Sequence, residues 1–320
     1  MRYAFATALI DFQIDSMLKS PVAIKNGLFV TNNPGHVARF LQTSHIVTIG
    51  SLEAKPLTGG SVVLYRVDDL PDISQASVEV INFLREVQAF LTAAWLKKDN
   101  SANCELAFSF GQETPHVHSN SLALQYTDHS GGRKSIKVDE GLLAEICKLH
   151  ATSFQGVTQQ NFPAHTVFRK SIARLDRGMK FLQQARSSDD LGQKVANYCS
   201  FFEALLSTSA SELSHQLSER IAFLLSDDPN KRLGFFKDVK KAYGVRSKIV
   251  HGDILTAGVI ASLVDVARTC DEFARSLVLK IVQEPHLDAL FNTGSNELLD
   301  AYMLNLIFGV KESPSSQLSS

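Results

Sequence analysis

Hydrophobic residues recur at two different spacings along the chain, and the change of spacing divides it. Up to about residue 165 they come mostly as short β-branched or aromatic runs bounded by turn residues, the pattern of strands. The segments AIKNGLFVT (23–31), HIVTIG (45–50) and GSVVLYRV (60–67) predict strands, as do CELAFSFG (104–111), SNSLALQYT (119–127) and SIKVDE (135–140). Gly131-Gly132, between the last two, predicts a hairpin-type turn. One stretch differs. Across 76–96, Val80, Ile81, Leu84, Val87, Leu91 and Trp95 fall at steps of three and four, which makes one apolar face of a helix. EGLLAEICKLHATSF (140–154) predicts a second, shorter helix. The first part, residues 1–165, is therefore expected to be α+β.

After Pro163 the strand pattern stops and helical periods follow one another. They predict helices over 168–187, 191–206 and 211–225, then a turn at Asp227-Asp228-Pro229-Asn230. Leu233, Phe236, Val239 and Tyr243 form the next stripe, which Gly244 is expected to stop. A long helix over 256–284 ends at Pro285, and a last one covers 297–307. Short connections between such helices predict an all-α bundle over 166–309. The Ser-rich tail, 310–320, has no apolar period and is expected to fray.

At 320 residues the chain has room for two domains. With 44% hydrophobic and 20% charged residues it has the composition of a folded globular protein rather than a disordered one. The net charge of −1 lacks the overall basic excess of most nucleic-acid binders, so any such site must be a local patch. The four cysteines are scattered without a CxxC pair, which argues against a disulfide framework or structural zinc and for a reducing, cytoplasmic setting. No secretory leader or run of ~18 apolar residues is visible, so no membrane association is expected. His116 and His118 would share one face of a strand, but no third ligand accompanies them. No metal and no cofactor are expected.

The sequence with the most chemistry is Tyr243-Gly244-Val245-Arg246-Ser247-Lys248-Ile249-Val250-His251-Gly252-Asp253. An Arg followed five residues later by His, late in a helical domain, resembles the signature of HEPN domains. Phe202-Glu203-Ala204-Leu205-Leu206 resembles the acidic and apolar segment of that superfamily, and 219–225 with RSKIVHG resembles its ApeA-like branch. The resemblance implies a dimeric helical domain. In many members this is a metal-independent endoribonuclease of toxin–antitoxin or anti-phage defence systems, while other members only bind RNA, nucleotide or protein. Many nuclease members carry Asn, Asp or His directly after the Arg, where this chain has Ser247.

The residue types suit that chemistry on physical grounds. Attack by an RNA 2′-hydroxyl needs a proton carrier, and histidine titrates near neutrality. It also needs a fixed cation against the crowded phosphate, and a guanidinium supplies one. Arg246 and His251 are thus the catalytic candidates, with Glu203, Ser247 and Lys248 supporting. A helix start after Gly244 would add backbone N–H groups facing an anion. Lys231, Arg232, Lys237, Lys240 and Lys241 give the preceding helix a basic side. Five helical residues turn ~500°, which puts Arg246 and His251 about 140° apart, so one chain alone does not aim both at one phosphate. A two-fold dimer would. The structural alternative is an Arg246–Glu203 ion pair that ties helices together and a His251 placed only to favour a helix end. The expected function is a cytoplasmic endoribonuclease acting on RNA as a homodimer, with an antitoxin or defence partner. An N-terminal domain would sense or restrain.

Overall fold

Arg2–Ile10 (β1) is apolar on both faces, and Tyr3, Ala4, Phe5 and Ala6 are buried completely or nearly so. A strand with that pattern belongs in the middle of a covered sheet. In the computed structural model, which describes residues 1–121, 124–153, 166, 172–293 and 295–310, β1 holds that central position. The chain continues through Phe12–Ile14 (β2), Val22–Ala23 (β3), Phe29–Thr31 (β4), Pro34–Val37 (α1), Thr43–Ile49 (α2), Ser51–Thr58 (α3), Val63–Asp69 (β5), Ser74–Lys97 (α4), Asn103–Gly111 (β6), Val117–Asn120 (β7), Ile136–Val138 (β8) and Glu140–Ser153 (α5). Six of these strands form one antiparallel sheet in the order β3-β4-β5-β1-β6-β7, while β2 and β8 pair in parallel. One face of the sheet buries Ala4, Ala6, Val63, Phe108 and Phe110 with Val37, Phe40, Leu41 and Leu57 from the α1–α3 segment. The other carries α4, where Phe83 meets Phe5 at 6.1 Å between ring centroids. Arg66 of β5 fixes α4 in place through Glu79 and Glu86, at 3.1 and 2.7 Å.

The remaining described elements are helices: Arg174–Ser187 (α6), Leu191–Leu206 (α7), Leu213–Leu225 (α8), Pro229–His251 (α9), Ala257–Gln283 (α10), Pro285–Thr293 (α11) and Asn296–Phe308 (α12). Helix α7 is its axis, packed against α6, α9 and α10. It buries Val195, Tyr198, Cys199, Phe201, Phe202 and Leu205. Tyr198 Oη donates to buried Asp271 at 2.8 Å, and Arg275 also donates to that carboxylate at 2.7 Å, so the buried Asp271 charge is paired. By internal contacts the chain falls into two units, Met1–Asp128 with Gly132–Asn161, and His129–Gly131 with Phe162–Ser320. An α+β, antiparallel-sheet region therefore precedes a mostly helical one. Among the described residues no helix is long and apolar enough to cross a membrane.

Several elements differ from the sequence expectation. Residues 45–50 are helical, not a strand. His45, Ile46 and Ile49 face inward at helical steps while Val47 is 77% exposed, and His45 Nδ1 accepts the Gln42 N–H at 3.2 Å to cap the helix. The run 23–31 is broken by Asn26 and Gly27, both at positive φ, into the β3–β4 hairpin. Gly131-Gly132 closes no hairpin, because β7 and β8 join different sheets. Past Asn120 the run 119–127 leaves the ladder, and Tyr126 turns inward beside the Asn103 side chain. Asp227–Asn230 is less a turn than a helix start: Asp228 caps α9 through the Lys231 N–H at 2.7 Å, with Pro229 in the first turn. The start of the helix expected over 168–187 and the Ser-rich tail at 311–320 lie outside the described residues.

Candidate functional site

The motif sits on α9, and the largest correction to the sequence reading falls there. The helix runs without interruption from Pro229 to His251, through Gly244. Glycine inside a helix costs about 1 kcal/mol relative to alanine. Burial of Val239, Ala242 and Val245 on the same helix outweighs it. Arg246 therefore lies inside a helix, with no unpaired N–H groups beside it to receive an anion. The helix stops just after His251, where Gly252 takes the left-handed conformation (φ 73°) and donates to the Ile249 carbonyl.

Arg246 meets Glu203 of α7 through a single nitrogen. Nη2 donates to Oε2 at 3.2 Å, and Oε1 lies at the same distance without hydrogen-bond geometry. Nε of Arg246 is buried and has no partner among the described residues. Both side chains keep about a fifth of their surface exposed, 23% for Arg246 and 20% for Glu203. The Arg246 guanidinium also lies 5.4 Å from the centre of the Tyr243 ring. Burial, then the Glu203 charge, raises the Tyr243 phenol above its ordinary pKa, so the hydroxyl stays protonated at neutral pH.

A cleft of about 500 Å³ opens at this point between α6, α7 and α9, lined by Arg174, Arg177, Ser200, Glu203, Arg246 and Asn296 among others. Three guanidiniums and one carboxylate thus face one concavity. Arg174 is 3% exposed. Its Nη1 donates to the Ser207 carbonyl at 2.8 Å and to that of Leu205 at 3.4 Å, while Nη2 holds Asn296. Arg220 Nη1 meets the Leu206 carbonyl at 2.6 Å and pairs with Asp300. Two buried arginines therefore satisfy the end of α7, where helix carbonyls lack internal partners. Burial, then repulsion from Arg177 and Arg220, depresses the Arg174 pKa. A second cleft of about 490 Å³ lies between α8 and α9, lined by Glu212, Ser214, His215, Lys240 and Tyr243 among others.

The structure separates the two catalytic candidates. Arg246 and Glu203 line the first cleft; His251 is exposed at the end of α9 and does not line it. Ser247 and Lys248 are half-buried and line neither cleft. At the end of α9 and the start of α10, apolar side chains face outward: Val250 is 56% exposed, Ile254 94% and Ile260 57%. Arg174 and Arg177 were not singled out in the sequence, and Tyr243 was read there as part of an apolar stripe rather than as a site residue. Among them only Tyr243, three positions before Arg246 on a helix, carried a local signal.

In the N-terminal unit a concavity of about 320 Å³ is lined largely by apolar residues of β1, α3 and β6, with Glu53 and Glu105 beside them. His116 precedes β7, and His118 lies on it opposite Ser109. The four cysteines are free and buried. Burial pushes the Cys199 thiol far up, so it is no nucleophile.

No family model, curated protein or solved structure matches this chain.

Proposed function

We propose that this protein is a metal-independent endoribonuclease of the HEPN type, acting on RNA as a homodimer in a cytoplasmic defence or toxin–antitoxin setting. The observation that carries the reading is Arg246: a guanidinium held by Glu203 through one nitrogen, half-buried, facing an open cleft that holds two further arginines. Arg246 stabilises the charge of the pentavalent phosphate, Glu203 orients it, and His251 moves the protons. Since His251 does not line the Arg246 cleft, it serves the site of the partner chain. The exposed apolar residues at the end of α9 and the start of α10 are the natural contact between the two chains.

The test is incubation of the purified full-length chain with RNA. Cleavage is expected to persist in EDTA, to leave 2′,3′-cyclic phosphate ends and to spare DNA. His251→Ala is expected to slow it by roughly 10²–10⁴-fold, the usual worth of a positioned acid or base, without change in circular dichroism. Unchanged cleavage by His251→Ala overturns the assignment. One observation favours a second reading, a module that binds RNA without cutting it: the exposed His251 stands apart from the cleft of its own chain. RNA binding with no cleavage by the wild-type chain would establish that reading.

A further inference from the structure

Two clefts of the helical unit take lining residues from neighbouring positions of α9. Tyr243 lines the cleft that holds Lys240 and His215, and the Arg246 guanidinium of the other cleft lies 5.4 Å from its ring centre. Lys240, Tyr243 and Arg246 fall at steps of three along α9, so they form one row of neighbouring side chains. The row rises about 9 Å along the helix. It runs cation, aromatic, cation. Across the first cleft from Arg246, α6 contributes Arg177, while buried Arg174 adds its charge to the wall. The buried Nε of Arg246 has no partner among the described residues, so the protein holds this guanidinium through Nη2 alone.

Positive charge alternating with a partly exposed aromatic ring, as Tyr243 is, suits a single nucleic-acid strand: cations follow the backbone, and bases stack on rings. A folded duplex buries its bases and would not use the Tyr243 ring. A phosphoprotein would use the arginines but has no use for the aromatic between them. We infer that a single RNA strand runs through both clefts, with one phosphate between Arg177 and Arg246, a base against Tyr243 and the next phosphate at Lys240. This rests on the reading of RNA as substrate, and it assigns the binding residues of that substrate. His215, whose ring meets that of Phe236 at 5.2 Å, lies on the far wall of the second cleft beside the strand.

The experiment is fluorescence anisotropy with a labelled single-stranded oligoribonucleotide. It uses the full-length chain carrying His251→Ala, so that the probe is not consumed. In that background Lys240→Ala and Arg177→Ala are each expected to weaken binding about tenfold, the loss of one charge-assisted contact. Each is also expected to lower the slope of log K against log salt by about 0.7, the value for one single-strand phosphate. Tyr243→Ala is expected to weaken binding at least as much with no change in slope, and Tyr243→Phe to bind like the parent. Lys240 is exposed, so its variant folds whatever becomes of the others. RNA bound with unchanged affinity and slope by both Lys240→Ala and Arg177→Ala overturns this path and leaves the RNA reading standing. No binding of RNA by the parent at low salt overturns both.

Discussion

A guanidinium tied by one nitrogen still has a hydrogen-bonding edge to offer, and that separates Arg246 from Arg174. Arg174 spends both terminal nitrogens on the end of α7 and on Asn296. Its removal would unravel the helix end. Arg246→Ala would leave Glu203, 20% exposed, without its cation, a cost to folding as well as to catalysis. His251 is therefore the cleaner position at which to test chemistry. A different histidine governs stability. His150 of α5 is buried, and that burial holds its pKa down at about 4, below the ~6.5 of an unfolded chain. It is neutral when folded, so its contribution is complete above pH 6.5. Between 6.5 and about 4 the unfolded chain takes up a proton that the folded chain refuses, and stability is lost as pH falls. The full difference is on the order of 3 kcal/mol. His150→Leu is expected to flatten the fall in melting temperature between pH 6.5 and 4.5. An equal fall in variant and wild type would show that His150 does not control it.

At the scale of elements, Gly244 measures how far local propensity speaks for the structure. Read as a helix breaker, it placed Arg246 at a helix start; in the structure it sits within the helix, exposed, and an added Cβ would meet nothing within 4 Å. Gly244→Ala is accordingly expected to stabilise the protein by about 0.5–1 kcal/mol, read as a rise in melting temperature. A loss would mean that the chain does break there. The helices α7 and α10 were legible almost to the residue because one apolar stripe decides each of them. The strand β1 was not, since burial on both faces removes the alternation that marks a strand. The stretch 45–50 misled because its β-branched residues suggested a strand, while a tertiary contact, His45 Nε2 to the Gly111 carbonyl at 2.9 Å, fixes a helix. The site divides in the same way. Arg246 and Glu203, which line one cleft, lie in two short strings that the sequence marks, while His251, in the same string as Arg246, does not line that cleft. Arg177 could not be found in the sequence, because only the packing of α6 on α7 brings it to the cleft.

At the scale of the whole molecule, the question is whether one site takes residues from two chains. A five-residue step on one helix turns the two side chains about 140° apart, and in the structure His251 lies outside the cleft that Arg246 lines. Val250 and Ile254, next to His251 in the chain, and Ile260 expose apolar side chains that water does not favour. Light scattering of the full-length chain is expected to give close to twice 35.2 kDa, and Ile254→Asp is expected to shift it to the monomer and abolish cleavage. Mixing tests the arrangement more sharply. In a dimer whose two sites each pair Arg246 of one chain with His251 of the other, a mixed dimer of Arg246→Ala and His251→Ala chains has one site with both lesions and one with neither. Random exchange at equal amounts makes half the dimers mixed, so about a quarter of wild-type activity is expected to return. Neither variant alone would show it. Arg246→Ala must still fold for the mixture to report, which a melting curve checks beforehand. If activity stays at the level of the separate variants while the chains are shown to exchange, the site does not pair Arg246 with His251 across chains.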